Sequence, residues 1–321
     1  MVLTENVKAL NNNAIAKVAL TYFAIAAVIL LSAHFFPEKV DVPIIFSIVL
    51  LVPLYLWYKE YSIQERISDK IAEKEKTSVF LWIFTLFILA LLIRVPSALL
   101  FNMPYEKTPL IYLVILTIAV IEKTRISVFG FKTGNFGKAL LYGLSFYAVW
   151  GGTFFLSLYV TVYAFTNQSP ATSYDTLLFL SAMPFQTLCV GISEEGFFRG
   201  YAQTHLERIC SPRIAILIQA ALFGVWHFVW NLSPFDPFGM AQYVMTTFFI
   251  GLLFGYFYHK SKNLTPLIFA HGLWNSVSQG IISSEATFQS LQGIQLLALF
   301  LPYAISIAAS SLFTKFFVKE I

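Results

Sequence analysis

The chain has 321 residues, of which 58% are hydrophobic and only 12% charged, with a formal net charge of +4 and a mean hydropathy of +0.72. A soluble domain is typically about half apolar and about a quarter charged, so this composition excludes an ordinary soluble enzyme. Apolar runs close to the roughly 20 residues that cross a bilayer recur along the whole sequence. They predict an integral, multi-pass membrane protein in contact with the lipid bilayer.

In chain order, ten apolar runs predict membrane-spanning helices: 18–36, 43–58, 79–101, 109–122, 139–166, 175–199, 213–232, 240–258, 264–283 and 291–314. Two of the runs are short for a bilayer, so the predicted fold class is an all-α, polytopic transmembrane helical bundle of about 8–10 spans. No small-residue cleavage site precedes Phe35–Pro37, which favours a signal anchor over a removed signal peptide.

Basic residues are concentrated in alternate loops. Loops 59–77 and 123–138 are rich in Lys and Arg, as are the segments after the eighth and the last runs, whereas the loops between them contain only Lys39 and Lys107. Cytoplasmic loops carry an excess of Lys and Arg, so both termini are predicted to be cytoplasmic in a cell membrane. Because this topology accounts for the positive charge, no nucleic-acid partner is predicted.

A charged stretch, "YKEYSIQERISDKIAEKEKTS", predicts a solvated helix or linker after the second run. The proposed division is therefore residues 1–135, N-terminal transmembrane helices with this cytoplasmic loop, and residues 136–321, a core whose motifs lie within 175–285. The two cysteines, Cys189 and Cys210, are too few for a disulfide framework and are interpreted as apolar fillers.

Ionisable groups at membrane depth usually face a cavity or a partner. Arg94 lies near one end of its run, where snorkelling toward the interface is the simpler interpretation, and His205 and Glu207 are interpreted as solvated. The pair Glu194 and Glu195 in "GISEEGFFRG", His227 in "LFGVWHFVWN" and His271 in "PLIFAHGLWNSV" are harder to dismiss. Their proximity in sequence predicts one shared functional site.

Spacing supports such a site. Glu194 and His227 are equidistant from the Cys210–Pro212 turn, so in a helical hairpin each lies about 25 Å along its helix from that turn. His271 and Asn275 are four residues apart and share one helix face. Phe223 and His227 have the same relation, which predicts that Phe223 packs beneath the imidazole.

The roles of the two carboxylates are left open by the sequence. Consecutive helical residues are about 100° apart, so Glu194 and Glu195 are not expected to point at one spot. In one arrangement Glu195 pairs with Arg199, four residues on, while Glu194 projects toward His227. In the other, both carboxylates border the site and Arg199 neutralises the pair.

Two chemistries suit this set. A glutamate can accept a proton from water while histidine positions it and His or Asn donors stabilise an oxyanion. Alternatively, Glu194, His227 and His271 could hold Zn²⁺ with an open fourth position, although the HExxH signature is absent. No cofactor is required by the pattern, and Zn²⁺ stays open.

Three motifs in consecutive predicted helices carry a family resemblance. "EEGFFRG" matches EExxxR followed by glycine, "FGVWH" matches FxxxH, and "HGLWN" matches HxxxN. Together they resemble the CAAX-protease and bacteriocin-processing family of intramembrane endopeptidases, which includes the prenyl-protein endopeptidase of the Ras-converting type. The resemblance implies a catalytic cavity inside the membrane that is open to the cytosol.

By motif match, the resemblance also implies roles for single residues. Glu194 would activate the hydrolytic water with His227, while His271 and Asn275 would form the oxyanion hole. Glu195 and Arg199 would support them. The family is often labelled metallo-, but a metal-free glutamate mechanism is also considered for it.

The resulting functional prediction is an endopeptidase that hydrolyses a peptide bond of a membrane-associated protein or peptide substrate. The alternative is a non-catalytic immunity or scaffold protein of the same family. A third class, a proton-coupled transporter, would also place Glu and His at depth, but it predicts inverted repeats and broken helices, which the sequence does not clearly show.

Overall fold

The structure, a computed structural model, describes residues 2–167, 172–283 and 300–321. These residues are mostly helical, which confirms the predicted all-α class. A short antiparallel ribbon pairs Thr172–Tyr174 (β1) with Ile281–Ser283 (β2). The helices are α1 (Val2–Phe35), α2 (Asp41–Val49), α3 (Leu51–Gln64), α4 (Lys76–Phe101), α5 (Lys107–Leu116), α6 (Phe136–Thr166), α7 (Thr176–Phe185), α8 (Ile192–Glu194), α9 (Thr204–Ile209), α10 (Pro212–Trp226), α11 (Pro237–Ser261), α12 (Thr265–Gly280) and α13 (Phe300–Phe317).

Non-α turns extend several of these helices. The π-helical segments Gln186–Gly191 and Glu195–Gln203 join α7, α8 and α9 into one continuous helix, Thr176–Ile209, which we call the glutamate helix. A π-helical turn, Thr117–Ile121, extends α5, and a 3-10 turn, His227–Asn231, extends α10. Apart from the turn on α5, these departures from α geometry fall on the helices that carry the first two motifs.

Eight helices within the described ranges are long and apolar enough to cross a bilayer, in agreement with the predicted 8–10 spans. The predicted run 43–58 corresponds to α2 and α3 together, and run 109–122 corresponds to the shorter apolar helix Lys107–Ile121. The last run, 291–314, overlaps α13, and its residues 291–299 lie outside the described ones. The protein is thus a multi-pass membrane protein.

The outer surface of the bundle is apolar. Leu100, Leu177 and Phe238 are 73%, 79% and 80% exposed, and many other large apolar side chains face outward with them. Helices that are hydrophobic on all sides are typical of membrane spans, so this surface is the one that contacts lipid.

Connections at one end of the bundle contain most of the basic residues and bond to one another; we call this the basic end. Ser68 bridges Thr124, linking the segment after α3 to the segment after α5. The Thr265 hydroxyl donates to the Lys132 carbonyl at 3.1 Å, and the chain end joins them through Ile321. The charged stretch predicted as a helix or linker lies here, helical to Gln64 and mostly exposed beyond it.

A buried cluster at the basic end corrects one prediction. His205, predicted to be solvated, is 3% exposed, and its Nε2 lies 3.1 Å from Oε2 of Glu122. The segment after α5 folds over the end of the glutamate helix and covers this imidazole. Glu207 is half-buried and pairs with Lys262 at 2.5 Å.

The other end of the bundle holds the β1–β2 ribbon and the α1–α2 and α4–α5 connections; we call it the cavity end. The Asp175 amide donates to the Gly280 carbonyl at 2.8 Å, which fixes the start of the glutamate helix against the end of α12. Successive membrane-spanning helices run in opposite directions, so these connections lie away from the basic end.

Candidate active site

The two glutamates lie at a break in helical geometry. Glu194 ends the three-residue α8, and Glu195 begins the longer of the two π-helical segments. Both are buried, with 2% and 0% exposure. Single π-helical turns are frequent at functional sites. Because an i→i+5 turn holds more residues than an α turn, consecutive side chains diverge less than the 100° expected of an α-helix.

The two oxygens of Glu194 have different surroundings. Its Oε1 accepts from Nζ of Lys107 at 2.5 Å and from the Trp226 indole N–H at 2.9 Å. Its Oε2 is buried and has no hydrogen-bond partner among the described residues. That oxygen lies 3.6 Å from Nε2 of His271 and 3.9 Å from Nε2 of His227. One oxygen is therefore held, and the other faces both histidines.

His227 occupies the end of α10, where the helix tightens into its 3-10 turn. Its Nδ1 lies 2.8 Å from the Phe223 carbonyl oxygen, which can only accept, so Nδ1 carries the proton. In the neutral ring, Nε2 is then the acceptor that faces Glu194. The Phe223 ring packs edge-on against the imidazole with 4.7 Å between centroids, as the spacing predicted.

Glu195, His271 and Arg199 form a second buried unit. Oε1 of Glu195 accepts from Nδ1 of His271 at 2.7 Å and lies 3.2 Å from Nη1 of Arg199. The guanidinium also stacks over the Phe223 ring at 4.1 Å. The predicted pairing of Glu195 with Arg199 is present, but Glu195 and Glu194 also contact opposite nitrogens of one imidazole. As expected, the two carboxylates do not point at one spot: they lie on opposite sides of the His271 ring, and Glu194, but not Glu195, lines the cavity.

Close packing of two helices brings His271 to the glutamates. A Cβ added to Gly191 would lie 2.8 Å from the Ile268 carbonyl oxygen, nearer than real Cβ atoms approach. Gly272 faces Thr187 in the same contact between α12 and the glutamate helix. Glycine at these positions lets the two backbones approach closely.

Asn275 and the catalytic candidates line one cavity of about 920 Å³. The Asn275 amide donates to Oε1 of Gln186 at 3.0 Å, which orients its side chain on the face of α12 that also carries His271. Gln186 also lines the cavity and escaped the sequence analysis. A glutamine in a membrane run five residues before a helical glycine gave no distinctive pattern.

Three charged residues from the first 135 positions complete the site. Arg94 is 1% exposed, pairs with Glu106 and donates from Nε to the Trp226 carbonyl at 2.8 Å. Lys107 is 2% exposed and lies 2.8 Å from Glu106 as well as 2.5 Å from Glu194.

These contacts correct two interpretations. Arg94 does not snorkel to the interface, because its guanidinium has a buried carboxylate and an aromatic ring, that of Trp226, 4.2 Å away. Lys107 is not a loop residue facing water. The sequence neighbours of Arg94 and Lys107 do not by themselves reveal these contacts. The available signal was Glu106, an acid adjacent to Lys107 at the start of an apolar helix.

The cavity opens at the cavity end of the bundle. Three exposed residues line its mouth. Asp41 is the first residue of α2, Asn102 lies in the α4–α5 connection, and Ser278 lies in the last turn of α12. Two expectations therefore conflict. The resemblance implied an opening to the cytosol, whereas the basic loops, taken as cytoplasmic, lie at the opposite end.

The residues as arranged do not fit the zinc hypothesis. Among the described residues, no three His, Cys, Asp or Glu side chains are placed to hold a metal ion. The ammonium of Lys107 also lies against Glu194, where its charge would repel a divalent cation.

Fold and site together define a multi-pass helical membrane protein with a buried Glu–His centre beside a cavity. Residues 176–277 match the family model described as type II CAAX prenyl endopeptidase Rce1-like, which covers about one third of the chain and contains all three motifs. This part of the chain is therefore similar to the CAAX endopeptidase family, as the motifs predicted. No curated protein and no solved structure matches it.

Proposed function

We propose that this protein is an intramembrane endopeptidase that hydrolyses a peptide bond of a membrane-associated protein or peptide. The observation that carries the proposal is the environment of Glu194, whose Oε2 is buried, unpaired among the described residues and directed at two imidazoles beside the cavity. A carboxylate oxygen held in this way is suited to accept a proton from water.

Each histidine has a separate role in this proposal. Nε2 of His227, the acceptor in its neutral ring, helps to orient and deprotonate the water next to Glu194. His271 is oriented by Glu195 at Nδ1, and when its ring is protonated the Nε2–H can donate to the oxyanion. Asn275, one turn further along α12, supplies the amide donor to the same oxyanion.

The proposal is tested with the full chain in liposomes and a library of peptides with apolar segments. Glu194→Gln and His227→Ala are each expected to lower kcat/KM by about 10²–10⁴-fold, because each removes a proton-transfer group. Glu60→Gln and His34→Ala, which are the same substitutions at exposed positions, serve as matched controls. Full activity in both site variants would contradict the mechanism, and no cleavage by the wild type would favour an immunity or scaffold role.

The same assay addresses the metal. The enzyme is incubated with a chelator, its metal content is measured by elemental analysis, and its activity is assayed again. If the activity does not depend on a metal, kcat/KM is expected to stay unchanged. Loss of stoichiometric zinc together with activity, and recovery when zinc is returned, would contradict the metal-free proposal.

A further inference from the structure

The rim of the cavity is built from elements of one end only. Val40 and Asp41 come from the start of α2, Asn102 and Met103 from the α4–α5 connection, and Tyr303 from the first turn of α13. Each of these elements lies at the cavity end, as does the last turn of α12, which contributes Ser278. Substrate that reaches Glu194 through this cavity therefore enters from the cavity end.

Charge differs sharply between the two ends. Of the 21 Lys and Arg residues in the sequence, the connections of the cavity end contain only Lys39 and Lys107. Lys107 is buried between two carboxylates, which leaves Lys39 as the exposed cation there. Arg94 and Arg199 lie inside the bundle, and the remaining cations lie at the basic end or within about two helical turns of it.

The positive-inside rule relates this asymmetry to the membrane. Short loops rich in Lys and Arg stay in the cytoplasm, and the bias is counted over loops close to the span ends. Every connection at the basic end is short, and several are joined by hydrogen bonds, so they act as one cytoplasmic surface. The cavity end must then face the opposite side of the membrane.

We propose that the cavity opens to the non-cytoplasmic side, and that the substrate is an extended peptide segment presented from that side. This inference rests on the proposed function for its substrate part. The cavity walls carry aromatic rings from Trp230, Trp274 and Tyr243, which suit apolar side chains, and amides from Gln186 and Gln279, which suit a peptide backbone. The substrate class is thus an exported or membrane-anchored polypeptide with an apolar segment outside the cytoplasm.

Orientation is tested by labelling, which does not depend on catalysis. Ser278→Cys and Ser62→Cys form a matched pair, because both serines are exposed, helical and bonded to a carbonyl of the preceding turn. Each is placed in a full chain with Cys189→Ala and Cys210→Ser, expressed in a bacterial host. Intact spheroplasts are then treated with a membrane-impermeant maleimide.

The expected result is that Ser278→Cys is labelled in intact spheroplasts, whereas Ser62→Cys is labelled only after permeabilisation. The reverse pattern, or labelling of both from the same side, would overturn the inference. A third serine, Ser68→Cys at the basic end, should behave as Ser62→Cys does if the local structure is intact.

A second arm tests the substrate side. A charged, impermeant peptide that the reconstituted enzyme cleaves is given to sealed right-side-out vesicles and to sealed inverted vesicles. Cleavage at least about tenfold faster in right-side-out vesicles is expected, since only they present the cavity end to the peptide. Faster cleavage in inverted vesicles overturns the proposal. If neither cleaves, the proposed entry of substrate from the cavity end fails, whereas the proposed function stands on the cleavage by the reconstituted enzyme and the labelling still decides the orientation.

Discussion

Glu194 is held by residues that the three motifs do not specify. Lys107 and Trp226 both donate to its Oε1, and this leaves Oε2 directed toward the histidines. An unpaired carboxylate at this depth would be strongly disfavoured, so the ammonium both stabilises the charge and selects the free oxygen. Lys107 is on this interpretation a positioning residue that acts through Glu194.

The first prediction concerns Lys107. Lys107→Met removes one partner of a buried pair, which typically costs about 3–5 kcal/mol, and we expect both a lower melting temperature and a fall in kcat. Lys107→Arg, which restores the cation, should recover part of kcat. Lys39→Met, an exposed lysine of the same end, is the control and should change neither quantity. A Lys107→Met enzyme with wild-type kcat would contradict the positioning role.

Glu195 is more than a counter-ion for Arg199. It is the acceptor for Nδ1 of His271, while Arg199 lies on the far side and stacks on Phe223. Of the two arrangements left open by the sequence, the contacts agree with the first, because Glu195 pairs with Arg199 and the free oxygen of Glu194 faces His227. The imidazole of His271 joins the two carboxylates.

At the scale of elements, the glutamate helix and α12 form the contact on which the site depends. Their backbones approach through Gly191 and Gly272, so the separation of the two helices sets the distance from His271 to Glu195. The π-helical segments on either side of Glu194 place both carboxylates toward α12. The local helix geometry and the packing of the two helices together therefore position Glu194, Glu195 and His271.

The second prediction follows from this contact. Gly191→Ala forces a methyl group to within 2.8 Å of the Ile268 carbonyl, so α12 must shift and His271 must lose its alignment. We expect a destabilisation of about 1–3 kcal/mol and a loss of activity with helical content unchanged by circular dichroism. Gly152→Ala in α6, where nothing lies within 4 Å, is the matched control and should be neutral. Equal activity in the two variants would contradict the packing argument.

The third prediction concerns the buried cluster at the basic end. Burial by itself raises the pKa of the Glu122 carboxyl, but hydrogen bonds and charges from His205 and Lys74 outweigh it and lower the pKa to about 2. A carboxylate with a lowered pKa stabilises the fold above its ordinary value of 4.5, and this stabilisation is lost as the pH falls toward 2.

We therefore expect the melting temperature of the wild type in detergent to fall between about pH 4.5 and pH 2. Glu122→Gln should lower the melting temperature at pH 7 and flatten its dependence in that window. Glu60→Gln, an exposed carboxylate on α3, should retain the wild-type profile. Identical profiles for Glu122→Gln and the wild type would contradict the role of the cluster.

At the scale of the molecule, the site draws on both sides of the proposed division at residue 135. Lys107 contacts Glu194, Arg94 contacts Trp226, and Phe87 packs on Phe198 with 6.4 Å between centroids. The division into residues 1–135 and 136–321 stays a prediction, but the second part alone lacks Lys107, the ammonium partner of Glu194.

The fourth prediction concerns the dependence of the site on residues 1–135. A chain of residues 136–321 should not cleave a peptide that the full chain cleaves, because Glu194 has lost its ammonium partner. Co-expression of residues 1–135 as a separate chain should restore part of the activity by reassembly in the membrane. Wild-type activity in the short chain alone would show that the N-terminal helices are dispensable for catalysis.

The sequence alone determined the class of protein and the motif residues. Composition and run length fixed a helical membrane protein, because a bilayer constrains both strongly. Spacing of four residues placed His271 with Asn275 and Phe223 with His227, since helical periodicity encodes such pairs directly.

Only the tertiary structure decided how the charges are paired and where the cavity opens. Lys107 and Glu194 are 87 positions apart, and no local period relates them. The π-helical segments that turn Glu195 toward His271 leave no mark in the hydrophobic pattern, because each shifts the phase of a helix only locally. Likewise, loop charges predict a side for each end of the bundle, but the end at which the cavity opens depends on how the helices pack.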